Sequence, residues 1–199
     1  MNRLNGLTCY LSGPIDFAEN FGAGWRDKIT PILEDKGLRV LDPLKHTSFG
    51  TDELDTEKRP RMDALLENEK FEELYEEMKE VIHWDLRSVD KSDFLIVNYD
   101  NSVHMCGTYE EIFLANVQAK PVLLVLSGPR NKMSKWMLGR FPPSHMFDSW
   151  NNLYKYLEMV DTDPNWMENR SEVEKKRWLF QDGDHMLTEE DQLSQIGIY

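Results

Sequence analysis

At 199 residues the chain is long enough to close one sizeable hydrophobic core and slightly long for the commonest single domain. Its formal charge of −13 and pI near 4.8 argue against a nucleic-acid polymer as partner, because phosphate backbones are gripped by Lys and Arg. A small nucleotide is still admissible, since one helix N-terminus accommodates a phosphate without net positive charge.

Two cysteines, Cys9 and Cys106, fit a reducing compartment better than a disulfide framework and cannot build a metal cluster; no metal and no cofactor is implied. The opening Met1-Asn2-Arg3-Leu4-Asn5-Gly6 lacks the apolar core of a signal peptide, and no run approaches the length of a membrane span. A soluble, cytoplasmic protein with no membrane partner is the expectation.

Leu7-Thr8-Cys9-Tyr10-Leu11 reads as a short strand ended by the loop signal Ser12-Gly13-Pro14-Ile15. A helix is expected from about Gly24, where Trp25, Ile29, Ile32 and Leu33 have helical spacing and Lys36-Gly37 supplies a stop. Leu38-Arg39-Val40-Leu41 is a second strand, broken by Asp42-Pro43. Residues 45–60 are polar and without period, a loop long enough to serve as a lid. A helix over about 61–83 should follow, burying Met62, Leu65, Leu66, Phe71, Leu74, Tyr75, Met78 and Ile82 behind an acidic, solvated face.

Residues 85–93 lead into Phe94-Leu95-Ile96-Val97-Asn98-Tyr99, apolar enough for a central strand buried on both faces. After the next helix comes the strand Val122-Leu123-Leu124-Val125-Leu126. Helices over about 132–138 and 149–159 and a short edge strand over 144–147 complete the pattern. Strand, helix and strand alternate throughout, which predicts an α/β, Rossmann-like or flavodoxin-like three-layer sandwich around a mostly parallel sheet of about five strands. The division expected is a domain over 1–160 and a C-terminal helical extension over 161–199, whose Trp166 and Trp178-Leu179-Phe180 are too aromatic for a free tail.

The run Cys106-Gly107-Thr108-Tyr109-Glu110-Glu111-Ile112 sits between the third and fourth strands, and ligands of open α/β sheets bind at the carboxyl ends of strands. Its carboxylates are therefore candidates for chemistry. Thr108 and Glu111 are also spaced as a capping box, in which both side chains satisfy orphan helix amides. Glu110 points about a hundred degrees away and is expected in solvent.

Taken together and in order, Tyr10-Leu11-Ser12-Gly13-Pro14-Ile15, Asp85-Leu86 to Ser92-Asp93, and Gly107-Thr108 to Glu111-Ile112 with Ala115 make the chain resemble the nucleoside 2-deoxyribosyltransferases and their relatives that hydrolyse nucleoside monophosphates. The resemblance implies that Glu111 is a nucleophile attacking the anomeric carbon and holding the sugar as a covalent ester. It implies that Asp85 recognises the base and helps to protonate it, the rival reading being an N-cap. Tyr10 would orient the nucleophile, Ser12, Gly13 and Pro14 would approach the sugar or a 5′-phosphate, and Gly107 and Thr108 would line the site.

Asp42 and His46 fall where the family places part of its base pocket; Asp93 opens the third strand, where capping of the preceding turn competes with substrate binding. Arg26 at a helix start is a candidate phosphate ligand or a surface residue. Where the family carries a sugar-contacting aspartate two residues before the glycine, this chain has Met105, next to His104. The expected partner is a small nucleoside or nucleotide, and the expected assembly a homo-oligomer, because relatives complete their sites with a neighbouring subunit. Two alternatives stand beside this reading: a lysine-decarboxylase-like phosphoribohydrolase, whose Pro-Gly-Gly is replaced here by Val103-His104-Met105, and a non-catalytic nucleotide-binding module.

Overall fold

The computed structural model describes residues 2–45 and 58–178. Five strands, β1 (Thr8–Ser12), β2 (Arg39–Leu41), β3 (Phe94–Tyr99), β4 (Val122–Leu126) and β5 (Met146–Phe147), form one sheet in the order β2-β1-β3-β4-β5. Every pairing is parallel, as the continuous apolar runs of β3 and β4 demand, since both faces of those strands are covered.

Two apolar layers result. On one face α1 (Ala23–Asp35) and α6 (Trp150–Thr162) pack against Cys9, Leu11, Phe94, Ile96, Leu123 and Val125. On the other, α3 (Phe71–Lys91), α4 (Cys106–Val117) and α5 (Lys135–Arg140) cover Tyr10, Leu95, Val97, Leu124 and Leu126. The alternation of neighbours along each strand between the two layers is the period of two that a pleat imposes. The last described helix, α7 (Glu172–Arg177), is flanked by Trp166 and Trp178, both buried in the first layer beside Tyr156.

The chain leaves β1 toward β2 on one side and later runs β3-β4-β5 on the other, so the strand order reverses between β1 and β3. The carboxyl ends of those two strands flank the crevice where open α/β sheets bind ligands.

The region between β2 and β3 departs from expectation. Two helices occupy it, α2 (Lys58–Glu67) and α3, joined by a short break in which Glu69 takes a left-handed φ of 57°. The break resets the helical phase, so the anticipated single buried stripe does not form: Leu66, Phe71 and Tyr75 are each more than half exposed. The helix also runs to Lys91, where a loop was expected from residue 85. Its inward line is Val81, Asp85, Ser88 and Val89, spaced by four, three and one, with Val81, Ser88 and Val89 buried. Of the expected lid, residues 46–57 lie outside the described residues, Lys45 ends a short 3-10 turn after β2, and residues 58–60 form the start of α2.

Candidate active site

Helix α4 starts at Cys106, with Met105 as its N-cap and no side chain bonded to the cap amides. The capping-box reading of Thr108 and Glu111 therefore fails, because both lie inside the helix, past the position where a capping box operates. They instead occupy its buried face with Ile112 and Ala115, three and four residues apart, while Glu110 is exposed. Gly107 belongs to the first turn of α4 rather than to a tight turn before it, and a Cβ added there would meet nothing within 4 Å.

Burial turns Glu111 toward the end of β1. Its carboxylate accepts hydrogen bonds from the Tyr10 hydroxyl at 2.7 Å and from the Ser12 hydroxyl, so two alternate residues of one strand supply both donors. Removal from water pushes the Glu111 carboxyl above the usual carboxylate range. The two hydroxyls and the positive charge of Arg26 pull against that rise, favouring the ionised form.

Arg26, on the first turns of α1, is not a surface residue, and it does not line the cavity beside Glu111. It is buried, and its guanidinium donates to the carbonyls of Gly13 at 3.0 Å and Gly22 at 3.1 Å and, more weakly, to those of Leu11 and Phe21 at 3.4 Å. It thus holds both ends of the loop that leaves β1. Asp42 is its counter-ion at 3.6 Å, and burial raises the Asp42 carboxyl while the Leu44 amide, Arg26 and Lys45 oppose the rise.

A cavity of about 350 Å³ opens beside Glu111. Its walls are Gly13, Pro14 and residues 15–17 of the β1 loop, Lys58, Arg59 and Met62 of α2, Met78, Val81, Ile82 and Asp85 of α3, and residues 104–108, 110 and 111 at the head of α4. Tyr10 and Ser12 lie behind Glu111 as its hydrogen-bond donors, and Gly107 and Thr108 line the wall in front. Asp85 reaches the cavity from the body of α3, so it caps no turn.

Two expected residues are not brought to this cavity. Asp42 is bound to Arg26 and to the Leu44 amide at 3.0 Å. Asp93 sits at the opposite, amino end of β3, where it accepts from the Thr8 amide at 2.6 Å. His46 lies outside the described residues. Gly13 lines the cavity, yet its smallness answers to packing: a Cβ would meet Trp25 at 3.1 Å and Asn98 at 3.3 Å.

Lys58 and Arg59 join the site unforeseen. Arg59 pairs with Asp16 of the β1 loop at 2.9 Å and lies over the Phe21 ring at 4.1 Å, tying α2 to the wall opposite α4. No local pattern announces this contact, which spans 43 positions of sequence. His104 also borders the cavity, its ring 5.9 Å from that of Phe17. Among the described residues no cluster of His, Cys, Asp and Glu is arranged to hold a metal ion, and no helix is long and apolar enough to cross a membrane.

A sequence model of the family described as nucleoside 2-deoxyribosyltransferase matches residues 9–180. The chain belongs to that family. Among solved structures, a 2-deoxyribosyltransferase from the psychrotolerant bacterium Bacillus psychrosaccharolyticus aligns with a TM-score of 0.51 at 20% identity, over 75% of this chain and 91% of that one. A second, from Leishmania mexicana, aligns with a TM-score of 0.49 at 16% identity, over 76% and 96% of the two chains. At its level of identity the first likeness bears on the fold alone. The search of curated proteins found no match. The family places a deoxyribosyltransferase type of activity on this fold, with nucleosides as the fitting substrates.

Proposed function

We propose that the protein cleaves or exchanges the N-glycosidic bond of a 2′-deoxynucleoside or its 5′-monophosphate through a covalent glycosyl ester on Glu111. The observation that carries this reading is the Glu111 carboxylate, buried beside a cavity and held by two hydroxyls of β1. A carboxylate so fixed loses little freedom when it attacks, and the hydroxyls prevent it from turning away.

In the first half-reaction a Glu111 oxygen bonds to the anomeric carbon while the bond from that carbon to the base nitrogen breaks. The electron pair leaves with the base, and Asp85, on the same cavity wall as Met78 and Val81, hydrogen-bonds the base and assists its protonation. In the second, water or another base attacks the anomeric carbon and Glu111 departs as carboxylate. Splitting one displacement in two lowers each barrier. In this reading the base-side acid is Asp85, which shares the cavity with Glu111.

The decisive experiment incubates the protein with a panel of deoxynucleosides and their monophosphates, with and without a second free base, and follows released and exchanged base. Trapping the glycosyl ester and mapping it to Glu111 by mass spectrometry tests the covalent step. A folded protein that binds panel members and turns over none would instead be the nucleotide-binding module. The reading includes self-association: the exposed Leu66, Phe71 and Tyr75 lie on the same two helices whose Met62, Met78 and Val81 wall the cavity, so a second copy packed there would narrow the site.

A further inference from the structure

Arg26 is fully buried, lines no part of the Glu111 cavity, and directs its guanidinium at backbone carbonyls. The hydrogen-bond ladder of the sheet shows what it replaces. The Arg39 amide donates to the Leu7 carbonyl at 2.8 Å, so the carbonyls of Leu7, Cys9, Leu11 and Gly13 turn toward β2. Thr8 turns its own toward β3, where the Asp93 amide donates to it at 2.8 Å. A parallel ladder advances two residues at a time on both strands, so the donors due after Arg39 are Leu41 and Pro43. Proline has no N–H, and β2 ends at Leu41. The Leu11 and Gly13 carbonyls therefore lie past the end of β2. Arg26 stands in for the absent amides, donating from Nε to Leu11 at 3.4 Å and from Nη2 to Gly13 at 3.0 Å. Asp42, the first residue beyond β2, pairs with the same Nε at 3.6 Å.

Leu11 and Gly13 flank Ser12 in the chain, and Ser12 donates to the Glu111 carboxylate. The guanidinium thus grips the backbone on both sides of the serine whose hydroxyl holds that carboxylate. We propose that Arg26 is a positioning residue for the nucleophile: it fixes Ser12, and through Ser12 the Glu111 carboxylate, in the orientation that attacks, with Asp42 moderating its charge. The inference rests on the function proposed above and adds two residues that act on it from outside the cavity.

The charge of Arg26 works in the same direction as its geometry. Burial disfavours the ionised form of Glu111, the form that attacks, and the guanidinium is among the groups that favour it. Asp16 of the β1 loop, Asp85 of α3 and Glu110 of α4 share the cavity with Glu111 as anions, and Lys58 and Arg59 of α2 as cations. Tyr10, His104 and Cys106 titrate beside it. All of these are the same in parent and variants below, so a difference in the titration of Glu111 reports on Arg26 and Asp42.

The test titrates the Glu111 carboxyl itself in the full chain, by carbon NMR of protein isotopically labelled at its glutamate carboxyls. The resonance is assigned by its loss in Glu111→Gln. Steady-state kinetics on a substrate from the panel above run beside it. Arg26→Met should raise the Glu111 midpoint by about one pH unit and lower kcat by about 10- to 100-fold, with KM moving less than about threefold because Arg26 does not meet the substrate. Arg26→Lys keeps the charge but not the fork, so the midpoint should stay within about half a unit of the parent while kcat still falls. Asp42→Asn keeps an acceptor for the Leu44 amide and removes the counter-charge, so the midpoint should move down, opposite to Arg26→Met. A merely structural role lowers the melting temperature of the variants and leaves the midpoint where it was. Thermal melts check each fold, and Asp42→Asn, in which Arg26 is intact, decides if neither Arg26 variant folds.

A folded Arg26→Met protein that keeps either the parent's midpoint or the parent's kcat overturns the proposal, as does an Asp42→Asn midpoint that stays or rises. Failure of the catalytic reading is separate. A parent that turns over no member of the panel removes the reaction, while the midpoints still show whether Arg26 governs the Glu111 carboxylate.

Discussion

Glu111 is pulled in two directions, by burial that disfavours its charge and by donors that favour it. A carboxyl whose folded pKa lies above its unfolded value makes its full contribution to stability at low pH and loses it as pH rises through the folded value. Glu111→Gln should therefore gain in melting temperature on the parent as pH is raised, its one amide oxygen still accepting from one of the Tyr10 and Ser12 hydroxyls while its NH2 turns to the other as donor. Turnover should fall by about a thousandfold or more, as expected when a covalent nucleophile is removed. Measured together, a raised melting temperature and lost turnover separate a reacting group from a merely structural one. Tyr10→Phe removes one donor to that carboxylate and should lower kcat/KM by about 10- to 100-fold and the melting temperature by several degrees, the cost of one hydrogen bond to a charged group. An unchanged rate would release Tyr10 from the site. In the sequence Glu111 stood out by its place after the third strand, whereas Tyr10 and Asp85 were singled out only by the family resemblance. The buried place of Arg26 and the cavity position of Lys58 were not legible, because they depend on carbonyls and cavities that distant segments create.

Each catalytic candidate sits on a regular element, and the elements were legible unequally. The strands and α1, α4 and α6 announce themselves through apolar period and Gly or Pro punctuation. The division of α2 from α3 does not, since Glu69 in a left-handed conformation is no standard breaker. Continuation of α3 through Asp85 also escaped notice, because Asp and Ser weaken helical propensity without forbidding helix. Asp85 gains rigidity from this, being carried in the body of a helix. Asp85→Asn should lower kcat by about 10² to 10⁴, the usual share of general acid–base assistance, and disturb KM far less; a loss confined to KM would make Asp85 a binding group only. The loop after β1 depends on one side chain. Arg26→Met leaves buried carbonyls and the Asp42 carboxylate without their cation, and should cost about 3–5 kcal/mol in a denaturant titration. Arg26→Lys should recover little, since an ammonium cannot span carbonyls on both sides of the loop. Stability equal to the parent in either variant would refute this role.

Over the whole molecule, stability is tied to a second buried group far from the cavity. His145 is fully buried under α6 and α7, within 3.0 Å of the Tyr156 hydroxyl, which also accepts from the Trp178 indole at 2.9 Å. Burial, reinforced by the charges of Arg177 and Arg170, holds its pKa down at about 3 against 6.5 in the unfolded chain. Because the unfolded state binds the extra proton, stability is complete above pH 6.5 and is lost as pH falls toward 3. Between pH 7 and pH 5 the loss should be about 2 kcal/mol, and His145→Gln should flatten that slope in urea titrations at the two pH values; an equal slope in both proteins would clear His145. The three-layer architecture and the parallel sheet were readable from the alternation of elements, whereas the apolar face left open on α2 and α3 was not, because sequence period marks a face as apolar without saying what covers it. The pairing of Glu111 with Tyr10 and Ser12 has one more effect. These two residues stand at alternate places on β1, so sliding that strand by one position against β3 would replace both hydroxyls with Cys9 and Leu11 and strand a charge among hydrocarbons. The buried carboxylate thus polices strand alignment: a chain that misassembles its sheet is penalised by the same group on which the proposed mechanism turns.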